Sequence, residues 1–82
     1  MKLLFCPRCG DVRKLRLRRV RCECGHVSGR YLSDGAHAEV SADAHVIGIG
    51  NGSVAAALRG RTQRLDAWVF DRDSAERLRW VP

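Results

Sequence analysis

The sequence predicts a small α+β protein, one domain over residues 1–82, in which short antiparallel strands accompany one central helix. Three observations predict it. The chain is 82 residues long, and a chain of that size buries only roughly 60% of the surface its unfolded form exposes, so there is material for one core and no second. All four cysteines fall within the first 24 residues, which marks off an amino-terminal unit over residues 4–27. From residue 28 to residue 82, apolar and β-branched runs alternate with turn signals, and a single run favours a helix. Hydrophobic residues make up 45% of the chain, yet the aromatics are only Phe5, Tyr31, Trp68, Phe70 and Trp80. So thin a supply of large side chains makes a marginal core, and the cysteines are expected to reinforce it.

Along the chain, residues 29–32 and 36–40 flank Ser33-Asp34-Gly35, and Asp-Gly between two such runs is a strong hairpin signal. Ser41-Ala42-Asp43 is a second break. His45-Val46-Ile47-Gly48-Ile49 is β-branched and apolar, which suits an inner strand. Asn51 or Ser53 can cap a helix through residues 54–59, with Gly60 at its end and Arg59 and Arg61 near the negative end of its dipole. Residues 65–70 resume as a strand with Trp68 and Phe70 on one face, both expected in the core with Trp80. Asp71-Arg72-Asp73-Ser74 is expected to cap a last helical turn over residues 75–79. No internal repeat is visible.

Cys6-Pro7-Arg8-Cys9-Gly10 is followed by eleven residues and then by Cys22-Glu23-Cys24-Gly25, which puts twelve residues between Cys9 and Cys22. The apolar start breaks off at Cys6, short of the roughly 7 to 15 apolar residues of a secretory signal. No stretch approaches the ~18 apolar residues of a membrane span, so a cytoplasmic protein with no membrane partner is expected. Thiols there stay reduced, and four of them are more often metal ligands than disulfides. Two tight cysteine turns at the ends of a hairpin-length spacer bring four thiolates to one tetrahedral point with no open position, which is a structural site. Glycine after Cys9 and after Cys24 lets the backbone take φ > 0 and turn N–H groups toward sulfur. The rival use of a Cys-Pro-x-Cys motif is redox chemistry, but thioredoxin-type sites open a helix, and here a basic, strand-like run follows.

The two cysteine turns resemble the zinc-ribbon family over about residues 4–27. That resemblance implies a β-hairpin capped by Zn²⁺ with Cys6, Cys9, Cys22 and Cys24 as ligands. The chain departs from the pattern at Cys22-Glu23-Cys24, where zinc ribbons usually have two residues between the ligands. His26 is therefore a rival fourth ligand to Cys24, since Cys22-x₃-His26 also has ligand-like spacing.

Charge is unevenly spread. Residues 1–30 carry nine Lys and Arg against Asp11 and Glu23; residues 31–58 carry three acids and no Lys or Arg; residues 59–82 carry six Arg against four acids. Of the total of +6, the amino-terminal third thus supplies more than all. Its densest stretch runs over residues 12–21. As one strand it projects Lys14, Arg16 and Arg18 from one face and Leu15 and Leu17 from the other, with Arg19 and Arg21 continuing the charge. Such a footprint fits phosphate backbones, and with no aromatic between the cations it reads no bases. The bland alternative is a solvated face that offsets the negative metal centre and keeps an edge from aggregating.

Two further groups bear on function. Gly48-Ile49-Gly50-Asn51-Gly52-Ser53 lies between strand and helix but lacks the spacing of a phosphate loop, so it is expected to be a turn and helix start. His37, Glu39 and His45 are a candidate catalytic or metal-binding trio if the strands bring them together, although no activated nucleophile accompanies them. The expectation is a non-enzymatic zinc protein whose basic hairpin, through Lys14, Arg16, Arg18, Arg19 and Arg21, contacts nucleic acid or a nucleic-acid-handling assembly. The alternatives are a protein-interaction adaptor acting through the carboxy-terminal half and, behind it, a small enzyme.

Overall fold

The computed structural model describes residues 1–73 and 75–82. The elements in chain order are β1 (Lys2–Phe5), β2 (Val12–Lys14), β3 (Val20–Arg21), β4 (Ser28–Tyr31), β5 (Ala38–Ser41), β6 (His45–Ile49), α1 (Asn51–Leu58), β7 (Ala67–Val69) and β8 (Leu78–Val81). They form two four-stranded sheets, β2-β1-β6-β7 and β3-β4-β5-β8. The first sheet is antiparallel throughout, with Leu4 opposite both Arg13 and Val46. In the second, β3, β4 and β5 run antiparallel, and β8 joins β5 in parallel. The mixed α+β class is therefore as expected, and the parallel β5–β8 pair is the exception to its antiparallel strands.

Alternate residues of the strands meet in one core. Leu4 and Val46 come from the first sheet, Ala38, Val40 and Leu78 from the second, and Leu15, Val27 and Ala44 from the connections, with Cys6 and Cys22 at one end. Fully burying each Val or Leu contributes roughly 1.5–3 kcal/mol, so this short roll leaves a small margin. The Asp-Gly turn joins β4 to β5, with Gly35 at φ +68°, and the Ser41 carbonyl accepting the Ala44 N–H closes the step to β6. Both breaks and the inner strand β6 lie where the pattern predicted.

The basic run is not one strand. It leaves the first sheet after Lys14 and enters the second at Val20. In between, the Leu15 N–H bonds the Lys2 carbonyl and the Arg16 carbonyl accepts the Tyr31 N–H, so the segment stitches the two sheets together. Leu15 is buried and Leu17 is 62% exposed, whereas a continuous strand would have put both on the core face. A chain that crosses between facing sheets needs one apolar anchor, and Leu15 is it.

The helical turn expected over residues 75–79 is replaced by β8; its Ser74 cap lies outside the described residues. Period-two alternation decides it: Leu78 is buried, and Trp80, two residues on, donates its indole N–H to the Ala44 carbonyl at 2.8 Å. Gly50 is the N-cap of helix α1, and neither Asn51 nor Ser53 caps it through its side chain. Ser53 Oγ instead donates to the Gly50 carbonyl and accepts the Asp66 N–H, tying the helix start to the approach of β7. Gly60 ends the helix as expected, at φ +76°, with its N–H on Ala57 O and the Arg61 N–H on Ala56 O, the two bonds of a Schellman motif. Among the described residues no helix is long and apolar enough to cross a membrane.

Candidate metal centre

Each cysteine pair sits in a turn that closes its own hairpin, β1 to β2 and β3 to β4. In the first, the Cys6 N–H bonds Asp11 O and the Gly10 N–H bonds Cys6 O; in the second, the Cys22 N–H bonds Val27 O and the Gly25 N–H bonds Cys22 O. Gly10 and Gly25 have φ of +74° and +78°, the left-handed conformation that glycine adopts without penalty. In both turns the second cysteine directly precedes that glycine. The missing residue of Cys22-Glu23-Cys24 is made up after the glycine, by His26, so the closing pair is five residues apart in each turn.

The four sulfurs consequently converge, all within 4.8 Å of one another. Cys24 Sγ lies 3.7 Å from Cys6 Sγ and 3.6 Å from Cys22 Sγ. Ligands at a Zn–S distance of roughly 2.3 Å on a regular tetrahedron stand about 3.8 Å apart, so the spacing fits a tetrathiolate cage around one ion. The group could hold a metal ion. His26 is elsewhere: its Nε2 is 3.0 Å from Asp43 Oδ2.

Backbone donors already point at the sulfurs. Cys6 Sγ accepts the N–H groups of Arg8 and Cys9, and Cys22 Sγ accepts that of Val27. The N–H groups of Cys24 and Asp11 pull the Cys9 thiol below its ordinary value. At Cys22 burial opposes ionisation, but the Val27 N–H and the neighbouring thiols outweigh it and leave the group near 6. Cys24 is the reverse: the His26 N–H favours its thiolate, while burial and the three other sulfurs push it up to about 12. Four crowded sulfurs do not all ionise unaided, and a bound divalent cation would supply the missing charge.

Asp11, which the sequence did not single out, braces the two turns. Its Oδ2 accepts the Arg13 guanidinium at 2.6 Å and the Glu23 backbone N–H at 2.8 Å, so a residue of the first turn holds the second in place. The available signal was its position, one residue beyond the knuckle glycine, but nothing in the sequence tells which donor an aspartate finds.

The basic residues line an open concavity of about 540 Å³ formed by Arg13, Lys14, Arg16, Arg18, Arg19 and Arg21. Lys14, Arg16, Arg18 and Arg21 are exposed and, among the described residues, make no ion pair. Arg19 is committed elsewhere, to Glu39 Oε1 at 3.2 Å and Ser28 Oγ at 3.0 Å. Arg13, which had not been singled out, joins the wall while paired to Asp11.

The suspected trio does not assemble. Glu39 gathers Arg19 and Arg30 on Oε1 and Arg79 on Oε2, and the Arg79 and Arg30 guanidinium groups hold its carboxyl below the ordinary value. His37 pairs with Asp34, and His45 lies in the other sheet, its ring 6.1 Å from that of Phe5. Of the aromatics expected in the core, Phe70 and Trp80 pack against it, but Trp68 is 47% exposed. No family model matches the chain, and no curated protein or solved structure shows significant similarity to it.

Proposed function

We propose that the chain is a non-enzymatic, cytoplasmic zinc module of zinc-ribbon type, whose basic concavity grips the phosphate backbone of nucleic acid. Zinc is the metal that an all-thiolate, closed tetrahedral cage suits as a structural ion, and the preset N–H···S bonds favour thiolates there. The observation that carries the nucleic-acid reading is the concavity itself. Four cations that make no ion pair among the described residues, Lys14, Arg16, Arg18 and Arg21, face one open groove whose position is set by the crossing between the sheets. Like charges so gathered repel; the phosphates of a polyanion neutralise them, and the counterions it releases in doing so add a favourable, salt-dependent entropy.

Binding to a DNA or RNA duplex should weaken steeply with salt. Changing Lys14, Arg16 and Arg18 to Gln should flatten the log–log salt slope by about 2 to 3 on DNA, roughly 0.9 per phosphate contact. Zinc content and melting temperature should hardly move, because exposed charges contribute at most about 1 kcal/mol each to folding. Neutralising Arg59, Arg61 and Arg64 instead matches the net charge; equal loss in the two variants would refute a role for the concavity.

A second reading, a protein-interaction adaptor, is favoured by β7, an edge strand with Trp68 and Val69 exposed and Leu65 exposed beside it. Such an edge can take an added strand from a partner. Loss of partner capture on Val69→Lys, with nucleic-acid binding unchanged, would establish it.

A further inference from the structure

At the end of β1 opposite the cysteines, the two sheets leave a cleft of about 480 Å³ lined by Lys2, Trp68, Phe70, Asp71, Glu76 and Arg77. That volume lies in the range of small-molecule sites. Its floor follows from register: Lys2, Gly48 and Trp68 stand side by side on β1, β6 and β7. Gly48 is required there, because a β-carbon would overlap the indole ring. Phe70 meets that ring edge-on, with centroids 6.0 Å apart. One half-exposed indole is thus held in place by Gly48 and Phe70.

The cleft also holds charged side chains that form no ion pair among the described residues. Lys2 Nζ sits 5.4 Å from the centroid of Tyr31 and 5.7 Å from that of Phe70, with the Ala36 carbonyl at 3.4 Å. Neither Lys2 nor Arg77 forms an ion pair among the described residues, and burial followed by the charge of Arg77 holds the Lys2 ammonium below its ordinary value. An anion would relieve both. Asp71 and Glu76 line the same cleft, likewise outside any ion pair, and offer acceptors to N–H or O–H groups. A bare inorganic anion would leave the indole unused and face two carboxylates; an apolar ligand would leave two cations desolvated.

We propose that this cleft binds a nucleotide: a flat heteroaromatic ring stacked on Trp68, an anionic group at Lys2 and Arg77, and amino or hydroxyl donors toward Asp71 and Glu76. Base–indole stacking contributes roughly 1–3 kcal/mol and tolerates any base. The site goes beyond the basic concavity, which lies along β2 at the opposite edge of the first sheet from β7, so either can fail without the other. A free nucleotide and the end of a single strand share this chemistry.

The test titrates the zinc-loaded full chain with adenosine 5′-monophosphate, adenosine and inorganic phosphate, by calorimetry and indole fluorescence. The monophosphate should bind with a Kd below about 1 mM. Adenosine and phosphate should each be about tenfold weaker or worse. Trp68→Leu and Arg77→Gln should each weaken the monophosphate about tenfold, and Arg77→Gln, at an exposed position, guards against a folding artefact. The Lys14, Arg16 and Arg18 triple variant should bind it normally, even if the concavity proves to bind no nucleic acid. A 5′-phosphorylated oligoadenylate that competes more tightly than the monophosphate identifies a strand end as the ligand; weaker competition identifies the free nucleotide. No binding at millimolar monophosphate, or affinities unchanged in both variants, would overturn the proposal.

Discussion

Cys24 and Asp34 occupy the same place in the same turn. The Leu32 N–H bonds His37 O and the Gly35 N–H bonds Leu32 O, as Cys22 does with Val27 and Gly25 with Cys22. Where Cys24 offers a sulfur, Asp34 Oδ1 accepts the N–H groups of Ala36 and His37. One backbone solution thus serves as a two-cysteine knuckle and as a plain hairpin, and Cys22 and Cys24 stand where the hairpin has Leu32 and Asp34. Cys24→Ser should therefore lower zinc affinity far more than His26→Ala, and Asp11→Asn should lower it by about 10–100-fold, as loss of an outer partner does; metal competition assays that rank His26→Ala worst would move the fourth ligand to His26. The Ala36 and His37 N–H groups, with His37 itself, hold the Asp34 carboxyl near 2, below its ordinary 3.8. A depressed carboxyl contributes stability above its unfolded pKa and loses it as pH falls through the folded one, so this contribution declines only between 3.8 and about 2. The melting-temperature difference between the parent and Asp34→Ala should consequently not shrink as the pH falls from about 8 to about 5, and a difference that shrinks within that range would contradict the assignment.

Helix α1 buries no side chain, so its stability rests on its ends and on Ser53. Two glycines make opposite demands on one substitution. Gly60 needs φ +76°, and Ala there should cost about 1 kcal/mol, or about 4–8 °C in melting temperature for a domain of this size. Gly52 lies within the helix with open space around its α-carbon, so Ala there should stabilise by about 0.5–1 kcal/mol. Stabilisation by both would mean that the Schellman end does not form in solution. The helix, its glycine stop, the Asp-Gly hairpin and β6 were legible because short-range rules govern them. The last strand was misread as helix for a matching reason: Leu78 and Trp80 alternate over too few residues to outweigh an acidic, cap-like run before them, and what selects strand is the free edge of β5, forty residues away in sequence.

At the scale of the whole molecule, the four-cysteine group and the core are joined. Two of the four cysteines, Cys6 and Cys22, are buried members of the only sizeable apolar cluster among the described residues. Structural zinc contributes roughly 10–16 kcal/mol in small peptides, which matches or exceeds the roughly 5–15 kcal/mol net stability of a whole domain. Chelation should therefore abolish tertiary structure rather than loosen one loop. Elemental analysis should find one zinc per chain, and near-ultraviolet circular dichroism should collapse on chelation and return with zinc; a folded spectrum that survives metal removal would show that the sheets hold without it. Glu39 has a comparable reach, drawing Arg19, Arg30 and Arg79 from three segments to one carboxylate across the second sheet.

By itself the sequence determined the cysteine turns, the hairpin at Asp34-Gly35, the central strand and the mixed α+β class, because turn chemistry and side-chain periodicity act within a few residues. Only the tertiary structure decided which groups face one another. It broke the basic run at Leu15, since one segment must bridge two sheets, and in doing so turned a presumed strand face into a groove. It paired Arg19 with Glu39 at the wall of that groove and so took Glu39 out of any catalytic trio, because opposite charges brought together across strands pair wherever the register places them. It left Trp68 half exposed beside Lys2, since a glycine across the strand made room for the ring that the core did not take.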